Sequence, residues 1–228
     1  MSAPFRYTVA VPTMNRPREL RRCLLQAHAQ NPAPEATLVV DDGALDPEEI
    51  RGWLGAGGAA GLIYHRKSQP GLPESIAWIA RLSPSPWTLL LDDDIYLEPD
   101  FMERMLEALE GAARPETLAG IAGYVVTMGR EGGPGRGKRL RWALERAFLL
   151  GGGVEGRYFR SGFCTNYDGG RRPAGPYEVE FVPGGLGLWR TEILRKYPYD
   201  PWYHGYAAGI DKEMAYRISR DHRLLCQP

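Results

Sequence analysis

The chain lacks the features that mark membrane-spanning, secreted or nucleic-acid-binding proteins. Its 228 residues contain 28 Lys and Arg against 28 Asp and Glu, so no excess charge favours nucleic acid or an anionic membrane. No apolar run approaches the length of a membrane span, and the first residues lack the apolar core of a secretion signal. The 3 cysteines are far apart and match neither a disulfide framework nor a zinc signature. These absences predict a globular protein of the reducing cytosol.

Short apolar strands alternate with amphipathic helices in the first half of the chain. The predicted strands lie at residues 5–11, 37–40, 62–65 and 87–91. The helices between and after them are expected to begin at Pro17, Asp46, Glu74 and Pro99. Gly57-Gly58 is expected to break the second helix. This alternation is typical of a parallel sheet with helices on both faces.

The second half is less regular. Its predicted strands lie at residues 118–126, 177–182, 186–190 and 224–226, with one helix capped by Thr191 and another that begins near Asp211 and runs through Arg217. Residues 129–137 are glycine-rich and predict a loop. Residues 138–150 predict a basic amphipathic helix, which favours an ordinary surface helix, with a membrane-interface or acceptor-docking element as the alternative.

Polar clusters follow three of the predicted strands. They are Thr13 to Arg16, Asp41-Asp42, and Asp92 to Asp94. Alone, the first suits helix capping with a solvated charge as well as a binding role, and the second suits a plain turn or a binding role. However, ligands of parallel sheets gather at the carboxyl ends of the strands, so the clusters are expected to converge on one rim. Convergence favours a binding site over three unrelated turns.

The acidic triplet Asp92-Asp93-Asp94 directly follows the most apolar strand candidate, Trp87–Leu91. Neighbouring carboxylates repel one another and are costly to desolvate, so the triplet is either a solvated turn or a cation site. Oxygen ligands suit Mg2+ or Mn2+, and Mg2+ is often shared between one or two carboxylates and substrate phosphates. The triplet therefore predicts a metal-bridged phosphate substrate.

Two features near the carboxyl terminus admit two interpretations each. Residues 197–206 are dense in Tyr, Trp, His and Pro, which suits stacking on sugar rings or bases as well as a small hydrophobic cluster under a loop. Asp211 lies near the start of a predicted helix, where a carboxylate either caps the helix or serves a functional role.

Taken in order, five segments resemble the inverting family 2 glycosyltransferases. They are Val9–Arg16, Val39–Gly43, Leu90–Ile95, Pro183–Gly185 and Gly209–Met214. The stretch from Asp92 to Asp100 is most similar to the galactofuranosyl- and rhamnosyltransferase-like branch. The resemblance implies an α/β GT-A fold, with a Rossmann-like, mainly parallel sheet, helices on both faces and a smaller acceptor-side half. It implies a single domain over 1–228, with a nucleotide-sugar half at 1–115 and an acceptor and catalytic-base half at 116–228.

The resemblance also implies roles for individual residues. Nucleotide-binding roles are implied for Pro12, Thr13, Asn15, Arg16, Asp41, Asp42, Arg66, Lys67, Asp92 and Asp93, with Asp41 holding the base. Asp92 and Asp94 would bind Mg2+ or Mn2+, and Asp211 matches the catalytic base. Donor and acceptor contacts are implied for Gly184, Gly185, Trp202 and His204.

Two departures from the family pattern concern the base and the metal. Ile210 stands where many members have an acidic residue before the base. Many members also supply a His to the metal from a strand after the base helix, and this sequence stops soon after Cys226. That ligand is expected to lie outside the sequence, and His204 is a substitute on composition alone.

The function expected is metal-dependent inverting transfer of a sugar from a nucleotide-diphospho-sugar, with a UDP-linked donor favoured. The acceptor would be a carbohydrate or a lipid-linked hydroxyl. The protein would be cytoplasmic, or it would lie at the inner face of the membrane and contact it through residues 138–150. A sugar-nucleotide nucleotidyltransferase is an alternative, although no Gly-rich phosphate loop follows the first strand. A second alternative is a non-catalytic nucleotide- or carbohydrate-binding module.

Overall fold

The computed structural model describes most of the chain. The described residues are 4–125, 137, 140, 143–144, 147–148, 155–164, 174–200, 202–205 and 209–228. Almost all of the expected glycine-rich loop at 129–137 and most of the expected basic helix at 138–150 lie outside them. No helix in the described part of the chain combines the length and the apolarity that a membrane crossing requires.

Strands and helices alternate along the described chain. The strands are β1 (Tyr7–Thr13), β2 (Ala36–Asp41), β3 (Leu62–Arg66), β4 (Trp87–Leu91), β5 (Leu118–Gly123), β6 (Tyr177–Val179), β7 (Leu186–Arg190) and β8 (Arg223–Gln227). The helices are α1 (Pro17–His28), α2 (Pro47–Ala59), α3 (Leu72–Leu82), α4 (Phe101–Glu110), α5 (Thr191–Lys196) and α6 (Ile210–Asp221). A short 3-10 turn at Pro115–Thr117 precedes β5.

The strands form one sheet in the order β3-β2-β1-β4-β7-β5-β8-β6. The four strands of the first half are parallel to one another, as is the pair β5 and β8. Strand β7 runs antiparallel to both of its neighbours, β4 and β5, and β6 runs antiparallel to β8. The predicted α/β fold with a mainly parallel central sheet is confirmed.

The sheet is covered on both faces because its central strands are apolar on both sides. Alternate residues of β4 divide between two hydrophobic clusters: Leu89 and Leu91 pack in one, with α1 and α4, and Leu90 packs in the other, with α3 and α6. Strands β2 and β4 have no exposed residue, which fits strands buried between two helical layers.

Three local expectations were wrong. Helix α2 continues through Gly57-Gly58, and its kink is at Gly55, where φ is 64°. Helix α4 begins at Phe101 rather than at Pro99. Thr191 does not cap α5, because its hydroxyl donates to the Ser85 carbonyl oxygen at 2.7 Å. By contrast, Asp46 caps α2 as predicted: its Oδ1 accepts a hydrogen bond from the Glu48 amide at 2.9 Å.

Candidate active site

A cleft of about 680 Å3 opens at the carboxyl ends of β1, β2 and β4. This volume is within the usual range for small-molecule sites. Residues at the strand ends that line the cleft are Pro12, Thr13, Met14, Arg16, Asp42, Asp92, Asp93 and Asp94. Further along the chain Pro70, Gly71, Leu72, Ser75 and Gly205 also line it. The three polar clusters therefore converge on one rim.

Asp93 is the buried, anchored member of the triplet. Its Oδ2 accepts a hydrogen bond from Thr13 Oγ at 2.7 Å, and its Oδ1 accepts one from Arg16 Nη1 at 2.8 Å. Only 6% of its side chain is exposed. Because a hydroxyl and a guanidinium already satisfy this carboxylate, Asp93 fastens the triplet to the end of β1 and to the start of α1.

The other two carboxylates of the triplet are less satisfied. Asp94 is half exposed, and its Oδ2 lies 3.1 Å from Arg16 Nη1. Asp92 is largely buried, and this burial, together with repulsion from Asp94, Asp93 and Asp211, raises the pKa of Asp92 to about 6. Arg16 counteracts the rise only in part. A carboxyl group in this position favours a positively charged partner.

Two adjacent glycines place Asp211 next to Asp92. The Gly184 amide donates a hydrogen bond to Asp211 Oδ2 at 3.0 Å, and the Asp92 amide donates one to the Gly185 carbonyl oxygen at 2.9 Å. A Cβ atom on Gly184 would lie 3.0 Å from Asp211 Cβ, and one on Gly185 would lie 2.5 Å from Asp92 Oδ2. Residues without side chains are needed here because two carboxylates pack against consecutive backbone units.

Helix α6 holds Asp211 in its first turn, where the helix dipole favours a carboxylate. The carboxylate nevertheless accepts its hydrogen bond from Gly184, outside the helix, so capping does not account for it. Tyr158 supports the same turn: its Oη donates to the Lys212 carbonyl oxygen at 2.9 Å. Tyr199 is also close, since burial and the charges of Asp211 and Asp92 raise its pKa.

An ion pair joins β3 to the Asp42 wall of the cleft. Lys67 Nζ lies 2.8 Å from Asp42 Oδ1, with 3% and 12% of the two side chains exposed. The other oxygen of Asp42 accepts a hydrogen bond from the Gly71 amide at 2.8 Å, and Ser75 Oγ donates to Oδ1 at 3.2 Å. Asp42 therefore ties the end of β2 to the start of α3.

Asp41, expected beside the nucleotide, is not among the residues that line the cleft. Its buried carboxylate accepts hydrogen bonds from the amides of Gly43 and Leu45, at 2.7 and 2.8 Å, and from Tyr64 Oη at 2.7 Å. Arg66 belongs to the same network, because its Nη2 donates to the Leu45 carbonyl oxygen at 2.7 Å. Asp41 and Arg66 thus organise the loop after β2, and neither is among the residues that line the cleft. Contact of either with a nucleotide stays a prediction.

Asn15 joins two of the loops at the rim but does not line the cleft. Its backbone is left-handed, with φ at 55°, and its Oδ1 accepts a hydrogen bond from the Ala44 amide at 3.3 Å. Asparagine tolerates this conformation better than most residues. The structure therefore gives Asn15 a place in shaping the rim.

Trp202 and His204 are exposed in a short loop at the edge of the cleft. Of this loop, Gly205 lines the cleft, and its carbonyl oxygen accepts a hydrogen bond from the Leu72 amide at 3.0 Å. Trp202 is 78% exposed, and its ring packs edge-on against Tyr203. The loop is thus at the site, but the two side chains expected to bind ligand lie outside the cleft wall.

Several residues of the site were not foreseen. Gly71 and Ser75 line the cleft because α3 begins at Leu72, two residues earlier than expected, and Pro73 in its first turn was the signal for that start. Tyr158 lies 53 positions before Asp211, and no local pattern points to it. Tyr199 belongs to the aromatic segment 197–206, but nothing in that segment distinguished it from its neighbours.

The site fits a divalent cation shared with a phosphate ligand. In the described part of the chain no three or more His, Cys, Asp or Glu side chains form a complete metal site. Mg2+ often takes only one or two protein carboxylates, because water and substrate phosphates complete its shell. Asp92, with its raised pKa, and the half-exposed Asp94 suit that arrangement. His204, named as a substitute ligand on composition alone, is exposed in its loop.

The family is decided by a sequence profile. The profile of glycosyl transferase family 2 matches residues 8–138, which is more than half of the chain. The chain belongs to this family. The resemblance noted in the sequence is thereby confirmed, and the match covers the loops after β1 and β2 and the acidic triplet.

Solved structures confirm the GT-A fold of this family 2 chain. The mannosyltransferase PcManGT from Pyrobaculum calidifontis, in complex with GDP-Man and Mn2+, is 16% identical, with 98% of this chain and 54% of that chain covered and a TM-score of 0.61. Residues 1–349 of S. aureus TarS are 13% identical, with 97% and 58% covered and a TM-score of 0.64. GalNAc-T7 with UDP, GalNAc and Mn2+ is 13% identical, with 98% and 42% covered and a TM-score of 0.67.

The family 2 chain spans roughly half the length of these solved proteins, between 42% and 58%. No curated protein sequence matches it. At such low identities the structural likeness establishes the fold, while the chemistry has to be argued from the residues of the cleft.

Proposed function

We propose that this family 2 protein transfers a sugar from a nucleotide-diphospho-sugar to an acceptor hydroxyl, with inversion at the anomeric carbon. The observation that carries the proposal is the packing of Asp211 and Asp92 against the consecutive glycines Gly184 and Gly185. One carboxylate belongs to the acidic triplet of the cleft, and the other lies just across the glycine turn. This arrangement suits a donor diphosphate on one side and a proton acceptor on the other.

The donor would bind along the strand ends. Arg16 is exposed in the cleft, and a guanidinium matches the geometry of phosphate oxygens. Thr13 and Asp42 line the same cleft and would contact the nucleotide. A UDP-linked sugar is the donor class that we favour. The similar structures support a nucleotide-sugar donor in general, because one holds GDP-Man and another UDP with GalNAc.

Asp92 and Asp94 are the residues proposed to hold Mg2+ or Mn2+. When bound, the ion would neutralise charge on the diphosphate as it leaves. Mn2+ is present in the PcManGT and GalNAc-T7 structures, which supports this assignment. Because Asp93 is already occupied by Thr13 and Arg16, its part would be to fix the triplet in place.

Asp211 would act as the general base. It would take the proton of the acceptor hydroxyl while that oxygen attacks the anomeric carbon from the face opposite the diphosphate. The new carbon–oxygen bond forms as the bond to the diphosphate oxygen breaks, so a single displacement inverts the centre and needs no enzymic nucleophile. The Gly184 amide holds one carboxylate oxygen and leaves the other available. The exposed loop that carries Trp202 and His204 would contact the acceptor, a carbohydrate or a lipid-linked hydroxyl.

A thermal-shift screen of UDP-, GDP- and dTDP-sugars with Mn2+ would first identify the donor, because a ligand that binds only the folded state raises the melting temperature. Asp211→Asn then tests the base, with Glu192→Gln, an exposed acidic residue of α5, as the matched control. We expect the Asp211 variant to keep donor affinity and to lose about 100- to 10,000-fold in transfer rate, as is typical for loss of a general base.

Different results would contradict different parts of the proposal. Transfer at the parental rate by Asp211→Asn would exclude Asp211 as the base. UDP binding that is indifferent to Mn2+ in calorimetry would exclude the triplet as an ion site. A product with retained anomeric configuration, read by NMR, would exclude single displacement. Formation of a UDP-sugar from UTP and a sugar 1-phosphate would instead favour a nucleotidyltransferase.

A further inference from the structure

Arg16 is a cation that already contacts the acidic triplet. Its Nη1 lies 2.8 Å from Asp93 Oδ1 and 3.1 Å from Asp94 Oδ2, so one nitrogen bridges two neighbouring carboxylates. Asp93 and Asp94 in turn raise the pKa of Arg16, through hydrogen bonds and then through charge. The guanidinium therefore neutralises part of the charge of the acidic triplet.

The two contacts of Arg16 differ in strength. Asp93 is buried and is also held by Thr13 at 2.7 Å, whereas 54% of the Asp94 side chain is exposed. Ion pairs between exposed groups add little net stability, because solvent screens them and both side chains lose freedom. The bridge to Asp94 is thus the one that breaks at little cost, while Asp93 keeps hold of the guanidinium.

Asp94 cannot serve a guanidinium and a divalent ion equally well. An ion bound at this carboxylate would lie close to Arg16, and like charges at such distances repel. A diphosphate resolves the conflict, because its oxygens offer Arg16 a bidentate partner in the same cleft. Ion and diphosphate are therefore expected to favour each other's binding through the position of one side chain.

We propose that Arg16 is an exchange residue, which contacts Asp94 as long as no donor is bound. When a donor diphosphate binds the guanidinium, Arg16 keeps its contact with Asp93 and releases Asp94 to the metal. The inference rests on the proposed function in that Asp94 is a metal ligand. It adds a specific consequence, which is that Arg16 opposes binding of the ion alone and promotes binding of the ion together with the nucleotide.

Two binding constants test this exchange without any measurement of transfer. Electron paramagnetic resonance of free Mn2+ gives the affinity for the ion alone, and calorimetry gives the affinity for UDP in EDTA and at saturating Mn2+. The variants are Arg16→Gln, Arg16→Lys and Asp94→Asn. Arg21→Gln is the matched control, since it removes an equal charge from an exposed position in α1, the helix that directly follows Arg16. Circular dichroism checks that each variant is folded.

Arg16→Gln should bind Mn2+ alone about 10-fold more tightly than the parent, because a competing positive charge is gone. Its affinity for UDP at saturating Mn2+ should fall, so that the enhancement of UDP binding by Mn2+ nearly disappears. Arg16→Lys keeps the charge, so it should bind Mn2+ alone as the parent does, yet lose UDP affinity because an ammonium cannot grip phosphate bidentately. Arg21→Gln should change each constant by less than about twofold.

The exchange is overturned if Arg16→Gln binds Mn2+ alone no more tightly than the parent while Asp94→Asn binds it far more weakly. That outcome leaves the metal site of the proposed function intact. If Asp94→Asn binds Mn2+ as the parent does, with and without UDP, the metal site itself is wrong and the exchange falls with it. An equal effect of Arg21→Gln and Arg16→Gln would also overturn the exchange, because net charge alone would then explain both.

Discussion

Asp92 and Gly185 touch so closely that a methyl group on the glycine would lie 2.5 Å from the Asp92 Oδ2 atom. The same glycine accepts a hydrogen bond from the Asp92 amide, so backbone and side chain of Asp92 both meet one residue. Gly184, the preceding residue, packs against the side chain of Asp211 and donates its amide hydrogen bond to Asp211 Oδ2 at 3.0 Å. The glycine pair therefore sets the spacing between the proposed metal site and the proposed base.

Gly185→Ala should displace the Asp92 carboxylate while leaving the fold intact. We expect Mn2+-dependent UDP binding to fall by more than about 10-fold, because metal and binding sites tolerate little displacement of their ligands. The cost in stability should be about 1–3 kcal/mol, as for other overpacked sites. Calorimetry and thermal unfolding measure the two effects separately.

Gly57→Ala is the control for that variant. A Cβ atom at Gly57 meets no heavy atom within 4 Å, and the residue lies inside helix α2. Alanine should therefore stabilise the protein by about 0.5–1 kcal/mol through helix propensity and leave UDP binding unchanged. Unaltered Mn2+-dependent binding in Gly185→Ala would show that Asp92 is not a ligand or that it relaxes freely.

Lys67→Met should destabilise the protein strongly, because it leaves the Asp42 carboxylate without its buried partner. Loss of one member of a buried ion pair typically costs about 3–5 kcal/mol, and the amide of Gly71 and the hydroxyl of Ser75 should keep the loss near the lower value. The double variant Lys67→Met with Asp42→Asn should recover part of the free energy of unfolding that Lys67→Met loses. Urea unfolding at neutral pH measures each free energy.

Arg51→Met provides the exposed counterpart. The Arg51–Glu48 pair is 3.1 Å long, with 42% and 76% of the side chains exposed, so its removal should cost less than about 1 kcal/mol. Equal losses in Lys67→Met and Arg51→Met would mean that the Asp42–Lys67 pair is hydrated in solution.

His28 should make the protein less stable as the pH falls below about 6.5, the ordinary pKa of histidine. Burial lowers the pKa of His28, whose Nε2 lies 2.7 Å from Thr37 Oγ. The unfolded chain therefore takes up a proton that the folded chain resists, and the free energy of unfolding declines through this window. His28→Gln should flatten that decline in urea titrations between about pH 7 and pH 5.

His204→Gln removes an exposed histidine and serves as the comparison. It should leave the pH dependence of unfolding close to that of the parent. A decline equally steep in His28→Gln and in the parent would assign the acid sensitivity to other groups.

The strands of the first half could be predicted because their signal is local. Trp87–Leu91 is apolar except for Thr88, and a run of this kind is stable as a strand only when both of its faces are covered. The convergence of the triplet with the loops after β1 and β2 followed from the same argument, since parallel strands end on one rim.

Local patterns could not tell which of two adjacent aspartates faces the cleft. Asp41 and Asp42 lie on opposite sides of the chain. Which of them faces the cleft depends on their partners, Tyr64 for Asp41 and Lys67 for Asp42, and these partners are in position only once β3 has joined the sheet. Thr191 has the composition of a helix cap, yet its hydroxyl bonds to Ser85, 106 positions earlier. Contacts of this range are set by tertiary packing.

Strand β7 begins at the residue after Gly185 and is paired through hydrogen bonds with β4 on one side and with β5 on the other. Asp92 and Asp211, the carboxylates proposed to hold the metal and to accept the proton, are thus both held against the turn that leads into this strand of the central sheet. They are not carried on two lobes that have to close together. Differences in the size of donor or acceptor would then have to be absorbed by the surrounding loops. Grafting of these loops from related proteins would then change which sugar is accepted, while the positions of Asp92 and Asp211 stay the same.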